Sequence, residues 1–250
     1  MSTSEAEIPR IELLEETPIP GLLPMANGRF LSRTLVKAVS NLFDSPVILT
    51  SDLHKDTAHV ANWLCDQINP AEWEFISCGD MAGTDRVGED ASPLPAFRGV
   101  LERFHRFHFV LGNHDSDHED LHELKNFDGT PCLVDRAPRE VGGREVAGVS
   151  GIVGNPRKPG RRSIEEFQRA VEETGLVKRT SSVLLTHETP RVEGFRRCIG
   201  REDLTLWVQS LAPIAHVFGH CHLNPISITK DRTLYINVDA RIVLLEPQKG

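Results

Sequence analysis

Along most of the chain, short runs of consecutive apolar residues alternate with longer stretches in which apolar side chains recur every three or four positions. Continuous runs are what strands buried on both faces look like, and the slower recurrence is what a helix with one buried face looks like. The pattern predicts strands over 47–51, 73–78, 107–111, 146–152, 182–186 and 215–218, and helices over 58–68, 94–106, 163–173 and 202–211. A strand leads each unit, the habit of an α/β protein. Toward the C-terminus, 226–228, 234–238 and 242–245 read as strands in hairpin succession. Residues 1–28 are acidic and carry Pro9, Pro18, Pro20 and Pro24, which disfavours helix and suggests an extended strap or loose tail. Over 30–43, Leu31, Leu35, Val39 and Leu42 fall at helical spacing, which predicts an amphipathic helix. The expected organisation is therefore a strap and docked helix over 1–45 and a main domain over 46–250.

Composition narrows this little. A length of 250 residues suits one large domain, and 39% hydrophobic with 26% charged residues is ordinary for a globular chain. The net charge of -8 disfavours nucleic acid and anionic membranes as partners. No apolar run is long enough to span a bilayer, and the acidic N-terminus is unlike a signal peptide, so a cytoplasmic location is expected. The cysteines, Cys65, Cys78, Cys132, Cys198 and Cys221, are odd in number and form no CxxC pair, so ordinary reduced thiols are expected.

The polar residues that call for an explanation come directly after the apolar runs. They are Asp52 and His54 in SDLH, Asp80 in GD, Asn113 with His114 and Asp115 in GNHD, His187 in TH, and His220 and His222 in GHCH. Ligands of α/β proteins gather at the carboxyl ends of strands, so segments far apart in sequence are placed to converge. If these segments are extended, Asp52 shares a side with His54 and His220 with His222, while Cys221 points away. Gly79, Gly112 and Gly219 allow the close turns that bring a side chain to an ion. Two carboxylates, an amide oxygen and four imidazoles suit manganese, iron or zinc. They are too many for one tetrahedral ion, and two metals with a shared carboxylate and a bridging hydroxide are the economical arrangement.

DxH, GD, GNHD, a lone His and GHxH, in this order, resemble the calcineurin-like metallophosphoesterase superfamily over about residues 46–246. The resemblance implies an α/β fold, a four-layer sandwich of two mixed β-sheets flanked by helices. It implies one metal on Asp52, His54 and His222, another on Asn113, His187 and His220, and Asp80 between them. It further implies that His114 protonates the leaving group and that Asp115 orients it. Lys55 and Asp115 stand where protein phosphatases carry glycine and glutamate, and Asp85 and Arg86 come too late for their GDxxDRG. The chain is more similar to phosphodiesterases and small-molecule phosphatases, and a small phosphodiester or nucleotide-type phosphate is the expected substrate. The alternatives are a scaffold that keeps the fold without turnover, or a protein phosphatase or nuclease of the same superfamily.

Other candidates have bland explanations beside them. His105, His108, His118 and His122 lie outside any motif and read as packing or solvent-facing, whereas His59 is open. The acidic run Asp115, Asp117, Glu119, Asp120 reads as a solvated helix start apart from Asp115. Arg157, Arg161 and Arg162 form a positive cluster that either clamps substrate phosphate or is an exposed loop.

Overall fold

The computed structural model describes residues 8–20, 33–82, 92–104, 106–115, 119–176, 181–195, 199–221 and 225–248. In chain order the strands of the first half are β1 (Ile11–Pro18), β2 (Thr34–Ser40), β3 (Val47–Thr50), β4 (Glu74–Ser77), β5 (Phe107–Phe109), β6 (Arg139–Val141) and β7 (Arg144–Val149). Those of the second half are β8 (Ile152–Val153), β9 (Arg161–Arg162), β10 (Val183–Thr186), β11 (Ala215–Phe218), β12 (Ser227–Lys230), β13 (Thr233–Asn237) and β14 (Arg241–Pro247). The helices are α1 (Thr57–Gln67), α2 (Leu94–Leu101), the single turn α3 (Glu119–His122), α4 (Ile164–Glu173) and α5 (Glu202–Leu211).

Among the described residues, two mixed six-stranded sheets form, in the orders β1-β2-β14-β3-β4-β5 and β12-β13-β11-β10-β7-β6, with β8 and β9 as a small parallel pair. The central strands β3, β10 and β11 are buried along their whole length, which is why they read as near-continuous apolar runs, interrupted in β11 only by His216. Val36, Leu49, Ile76, Leu185, Val217 and Ile236 belong to a core between the sheets. A second core packs Ile48, Phe75 and Phe107 against Val60 and Leu64 of α1 and Phe97 of α2. A third packs Leu184 and Tyr235 against Phe167 of α4 and Val208 of α5. The layers are therefore helix, sheet, sheet, helix, as the resemblance implied. No helix among the described residues is long and apolar enough to cross a membrane.

Two expectations are corrected. The segment predicted as an amphipathic helix over 30–43 instead forms strand β2 over its described part, antiparallel to β1 and parallel to β14. Its β-branched and small residues Thr34, Val36, Ala38 and Val39 fit a pleated surface once two strands flank it, and tertiary pairing overrides a short helical periodicity. Residues 11–18 and 34–40 thus extend the first sheet rather than dock on it. The C-terminal strands are not three successive hairpin partners either: β12 and β13 pair antiparallel, but β14 leaves for the other sheet, between β2 and β3. That crossing passes the site, where Ser51 and Asp239 form a bridge at the exits of β3 and β13.

Candidate metal centre

Strands β3, β4 and β5 run parallel in the first sheet and β10 and β11 run parallel in the second, so each sheet delivers its strand exits to one edge. There the chain turns through left-handed backbone at residues that are not glycine: Asp52 (φ 60°), His54 (φ 51°), Asp80 (φ 52°) and His220 (φ 70°). Such conformations cost about 1 kcal/mol or more each and persist where the surroundings fix them. The surroundings here are specific. Asp52 N–H donates to Gly79 O at 3.0 Å, His54 N–H to Asp80 O at 2.9 Å, and His220 N–H to Asp52 Oδ2 at 3.0 Å. Arg33 donates to Asp52 O at 3.2 Å and pairs with Asp56, bracing the same turn from the N-terminal side. The expected mechanism, extended chain with residues two apart on one side, is therefore corrected: these ligands converge through turns.

Two of the glycines are required by close approach. A Cβ on Gly112 would lie 2.5 Å from Asp80 N and 2.6 Å from Asp80 Cγ, and one on Gly219 would lie 2.6 Å from Asp52 Oδ2. Neither position tolerates a side chain without moving an acidic residue of the centre.

Two groups of donor atoms gather at this edge, Asp52 with His54 and Asp80, and Asp80 with His187 and His220, the atoms of each lying within 4.8 Å of one another. Asp80 is common to both. Its carboxylate is 1% exposed at the residue level, and Oδ1 accepts from His114 N–H at 2.8 Å. His187 donates from Nδ1 to the Cys78 carbonyl at 2.8 Å, which fixes the ring and aims Nε2 at Asp80, 3.2 Å from Oδ2. Among the described residues, that Nε2 has no hydrogen-bond partner, and His54 Nδ1 and Asn113 Oδ1 are likewise buried without one. Buried polar atoms left unmatched in a well-bonded interior fit donors kept for a cation. The donor set, carboxylates, imidazoles and an amide oxygen, fits such a group in chemistry as well. His222 lies outside the described residues.

The electrostatics agree with the geometry. Burial raises Asp52, Asp239 adds to that, and its pKa reaches about 6. Burial opposes ionisation of Asp80 too, but the charge of His187 outweighs it and holds the carboxyl well below its usual range. Burial would lower His187, yet Asp80 and then Asp52 push it up to about 10. Burial and then the charge of His187 lower His220 to about 4, with Arg161 adding a smaller depression. The two carboxylates thus draw a positive charge into the space between them. A divalent ion would satisfy the same demand in place of the imidazole proton.

His114 stands beside the first group, its ring edge-on to His54 with centroids 5.2 Å apart. Asp115 makes contacts that its motif did not announce. Its carboxylate accepts from the backbone of Asp80 at 2.6 Å, Gly112 at 2.9 Å and Ala82 at 2.9 Å, so it ties the GD and GNHD turns together. Burial and then Asp80's charge push Asp115 up to about 7 against those amide bonds. Arg161 and Arg162 form β9 and line a cavity next to Gly112, whereas Arg157 is exposed in the preceding turn and does not line it. His108 is a packing histidine 3.6 Å from Glu74 Oε2, and His59 meets Pro20 O at 3.2 Å away from the donor groups. His105, His118, Asp85, Arg86 and Asp117 lie outside the described residues. Cys221 packs against the third core, Cys65, Cys78, Cys132 and Cys221 are unpaired thiols, and Cys198 lies outside the described residues.

Sequence reasoning missed Asp239, a fully buried carboxylate that raises the pKa of Asp52. It follows the apolar strand β13 in INVDA, so the rule applied to the other strand exits would have found it.

A calcineurin-like phosphoesterase family model matches residues 45–224. The crystal structure of TT1561 from Thermus thermophilus is similar with a TM-score of 0.59 at 15% identity, covering 78% of this chain and 90% of that one. A dimetal phosphatase from Danio rerio is similar at a TM-score of 0.49 and 11% identity, over 78% of this chain and 87% of that one. At 15% identity the likeness to TT1561 is one of fold. No curated protein matches the chain.

Proposed function

The chain belongs to the calcineurin-like phosphoesterase family, and from that premise we propose that it is a dinuclear metal-dependent phosphoesterase acting on a small phosphodiester or nucleotide-type phosphate. The observation that carries the reading is the sharing of Asp80 between two donor groups that each already contain three side chains. Asp52 and His54 would hold one ion, with His222 completing it as the family resemblance implies. Asn113, His187 and His220 would hold the other. Manganese, iron or zinc fits this mixture of oxygen and nitrogen donors. Bound there, two cations neutralise phosphoryl oxygens and acidify a water for attack on phosphorus.

The remaining steps belong to the chain. His114 is fixed at its backbone by Asp80 and at its ring by His54, so its imidazole is held beside the donor groups and donates a proton to the leaving oxygen. Asp115 is a positioning residue that sets the distance between the two turns. A non-catalytic scaffold is disfavoured because the described donors are buried with orphaned atoms, an arrangement without benefit if no ion binds. Composition and the unpaired cysteines favour the cytoplasm.

The test is turnover of bis-p-nitrophenyl phosphate and p-nitrophenyl phosphate by the purified full chain with added manganese, iron or zinc. Metal-dependent hydrolysis of either ester is expected. Protein that takes up metal yet turns over neither ester, nor any member of a panel of small phosphoesters, would leave the scaffold reading in its place.

A further inference from the structure

Beside the donor groups, on the side of Asn113, lies a cavity of about 440 Å³ whose walls are the GNHD turn, the loop before β9, and α4. That is within the range of small-molecule sites, roughly 300–1,000 Å³. Four arginines line it, Arg136, Arg161, Arg162 and Arg169. Two of them are neutralised within the protein. Arg136 pairs with Asp135 at 3.1 Å and Glu173 at 3.3 Å, and Arg162 pairs with Asp135 at 3.1 Å. The carboxylates on the cavity wall are engaged as well. Glu166 Oε2 accepts from Ser163 N–H at 2.7 Å in the capping box of α4, Glu173 takes Arg136, and Asp115 takes three backbone amides.

Arg161 and Arg169 remain. Among the described residues neither has a hydrogen-bond acceptor or an acidic partner, so two unpaired positive charges border one open cavity in a protein of net charge -8. Neighbouring like charges are unfavourable unless an anion offsets them. The place is adjacent to the chemistry: a Cβ on Gly160 would lie 2.6 Å from Asn113 Cα, so the residue before Arg161 packs directly on an expected metal ligand.

We propose that this cavity is a subsite for a second phosphoryl group, held by Arg161 and Arg169, so that the preferred substrate is a phosphoester carrying another phosphate besides the one attacked. The inference rests on the phosphoesterase reading for the word substrate, but the anion site itself does not. A phosphate carrying a charge of about -1.5 to -2 at neutral pH matches two guanidinium groups, where a carboxylate would leave one unbalanced. Arg162 and Arg136 are then the buttress rather than the grip, since Asp135 holds both.

Two measurements separate this inference from the reading beneath it. The first is calorimetric titration of the metal-free full chain with inorganic phosphate and with pyrophosphate, where phosphate has no cations to bind. One anion per chain is expected, weakened at least about tenfold by Arg169→Gln or Arg161→Gln, the loss of a charge-assisted contact. The second is kcat/KM of the manganese-loaded chain for a nucleoside 3′,5′-bisphosphate against p-nitrophenyl phosphate. Arg169→Gln should lower the first at least about tenfold more than the second. Equal losses on both esters, or anion binding that neither substitution weakens, would overturn the subsite and leave the phosphoesterase reading standing. Anion binding that Arg169→Gln weakens, in a chain that hydrolyses no ester, would sink the phosphoesterase reading and keep the anion site. A preference for esters bearing a carboxylate, with no gain from a second phosphate, would overturn the ligand class.

Discussion

Replacing Gly112 by alanine adds one methyl group, and the structure allows its effect to be worked out in advance. The new Cβ would lie 2.5 Å from Asp80 N and 2.6 Å from Asp80 Cγ, where ordinary contacts are 3.4–4 Å. Something must shift by about 1 Å, a displacement that a close-packed interior resists. Asp80 has nowhere cheap to go: its N–H is held by Asp115 at 2.6 Å, its Oδ1 by His114 N–H at 2.8 Å, and its carbonyl by His54 N–H at 2.9 Å. Overpacking of this kind costs about 1–3 kcal/mol, which for a chain of this length lowers the Tm of the metal-free protein by about 2–12 °C. The larger effect is on metal. Because Asp80 belongs to both donor groups, its displacement should weaken both ions together. A cation present at a hundred times its Kd stabilises the native chain by about 2.7 kcal/mol per site, and that stabilisation should be lost. Thermal unfolding in chelator and in excess manganese, with metal content measured after desalting, reads both effects. A Gly112→Ala chain that shows the wild-type rise in Tm with manganese and keeps the wild-type metal content would refute the reasoning.

Three further outcomes are expected. His114→Ala should keep most of its metal, while its rate falls steeply for esters with alkyl leaving groups and much less for p-nitrophenolate, which needs little protonation; equal losses on both leaving groups would remove the general-acid role. Burial holds His216 down at about 3 while the unfolded chain protonates it near 6.5, so the unfolded state binds the extra proton between those values and stability falls as pH drops through that window. Denaturant unfolding of the metal-free chain should therefore lose about 2 kcal/mol through this group from pH 6.5 to pH 5, and His216→Phe should flatten the wild-type pH slope by that amount; an unchanged slope would contradict it. Asp239→Asn should lower the pKa of Asp52 by removing a neighbouring buried charge, and so make manganese uptake less dependent on pH between about 5 and 7, as competition titrations would show; an identical pH profile would place Asp239 outside the electrostatics of the centre.

Much of this was readable in the chain because strands buried on both faces leave an unmistakable record. VIL and VLL are apolar throughout and AHVF is broken only by the buried His216, so the polar residues that follow each strand are conspicuous. The candidate donors follow from that contrast. Their convergence was expected for the wrong local reason. Left-handed backbone at Asp52, His54, Asp80 and His220 has no signature in residue type, since it is imposed by hydrogen bonds from segments distant in sequence. The same holds for β2, whose seven residues satisfy a helical period as well as a strand. Only pairing with β1 and β14 decides between them. The backbone amides that Asp115 holds were not legible either, because a motif names a carboxylate without saying which donors it will meet. Arg169 gave no signal at all: it sits in an ordinary amphipathic helix, and its isolation from acidic partners exists only once α4 is docked.

The central claim is that two cations share Asp80, and it is tested most directly by titrating manganese into the metal-free chain while following bound metal and hydrolysis of bis-p-nitrophenyl phosphate together. The account predicts that activity rises only as the second equivalent binds, and that Asp80→Asn, which keeps the side chain's shape but removes its charge, binds less than one equivalent and is inactive. Full activity at one equivalent, or an Asp80→Asn chain that retains two ions and the wild-type rate, would contradict it.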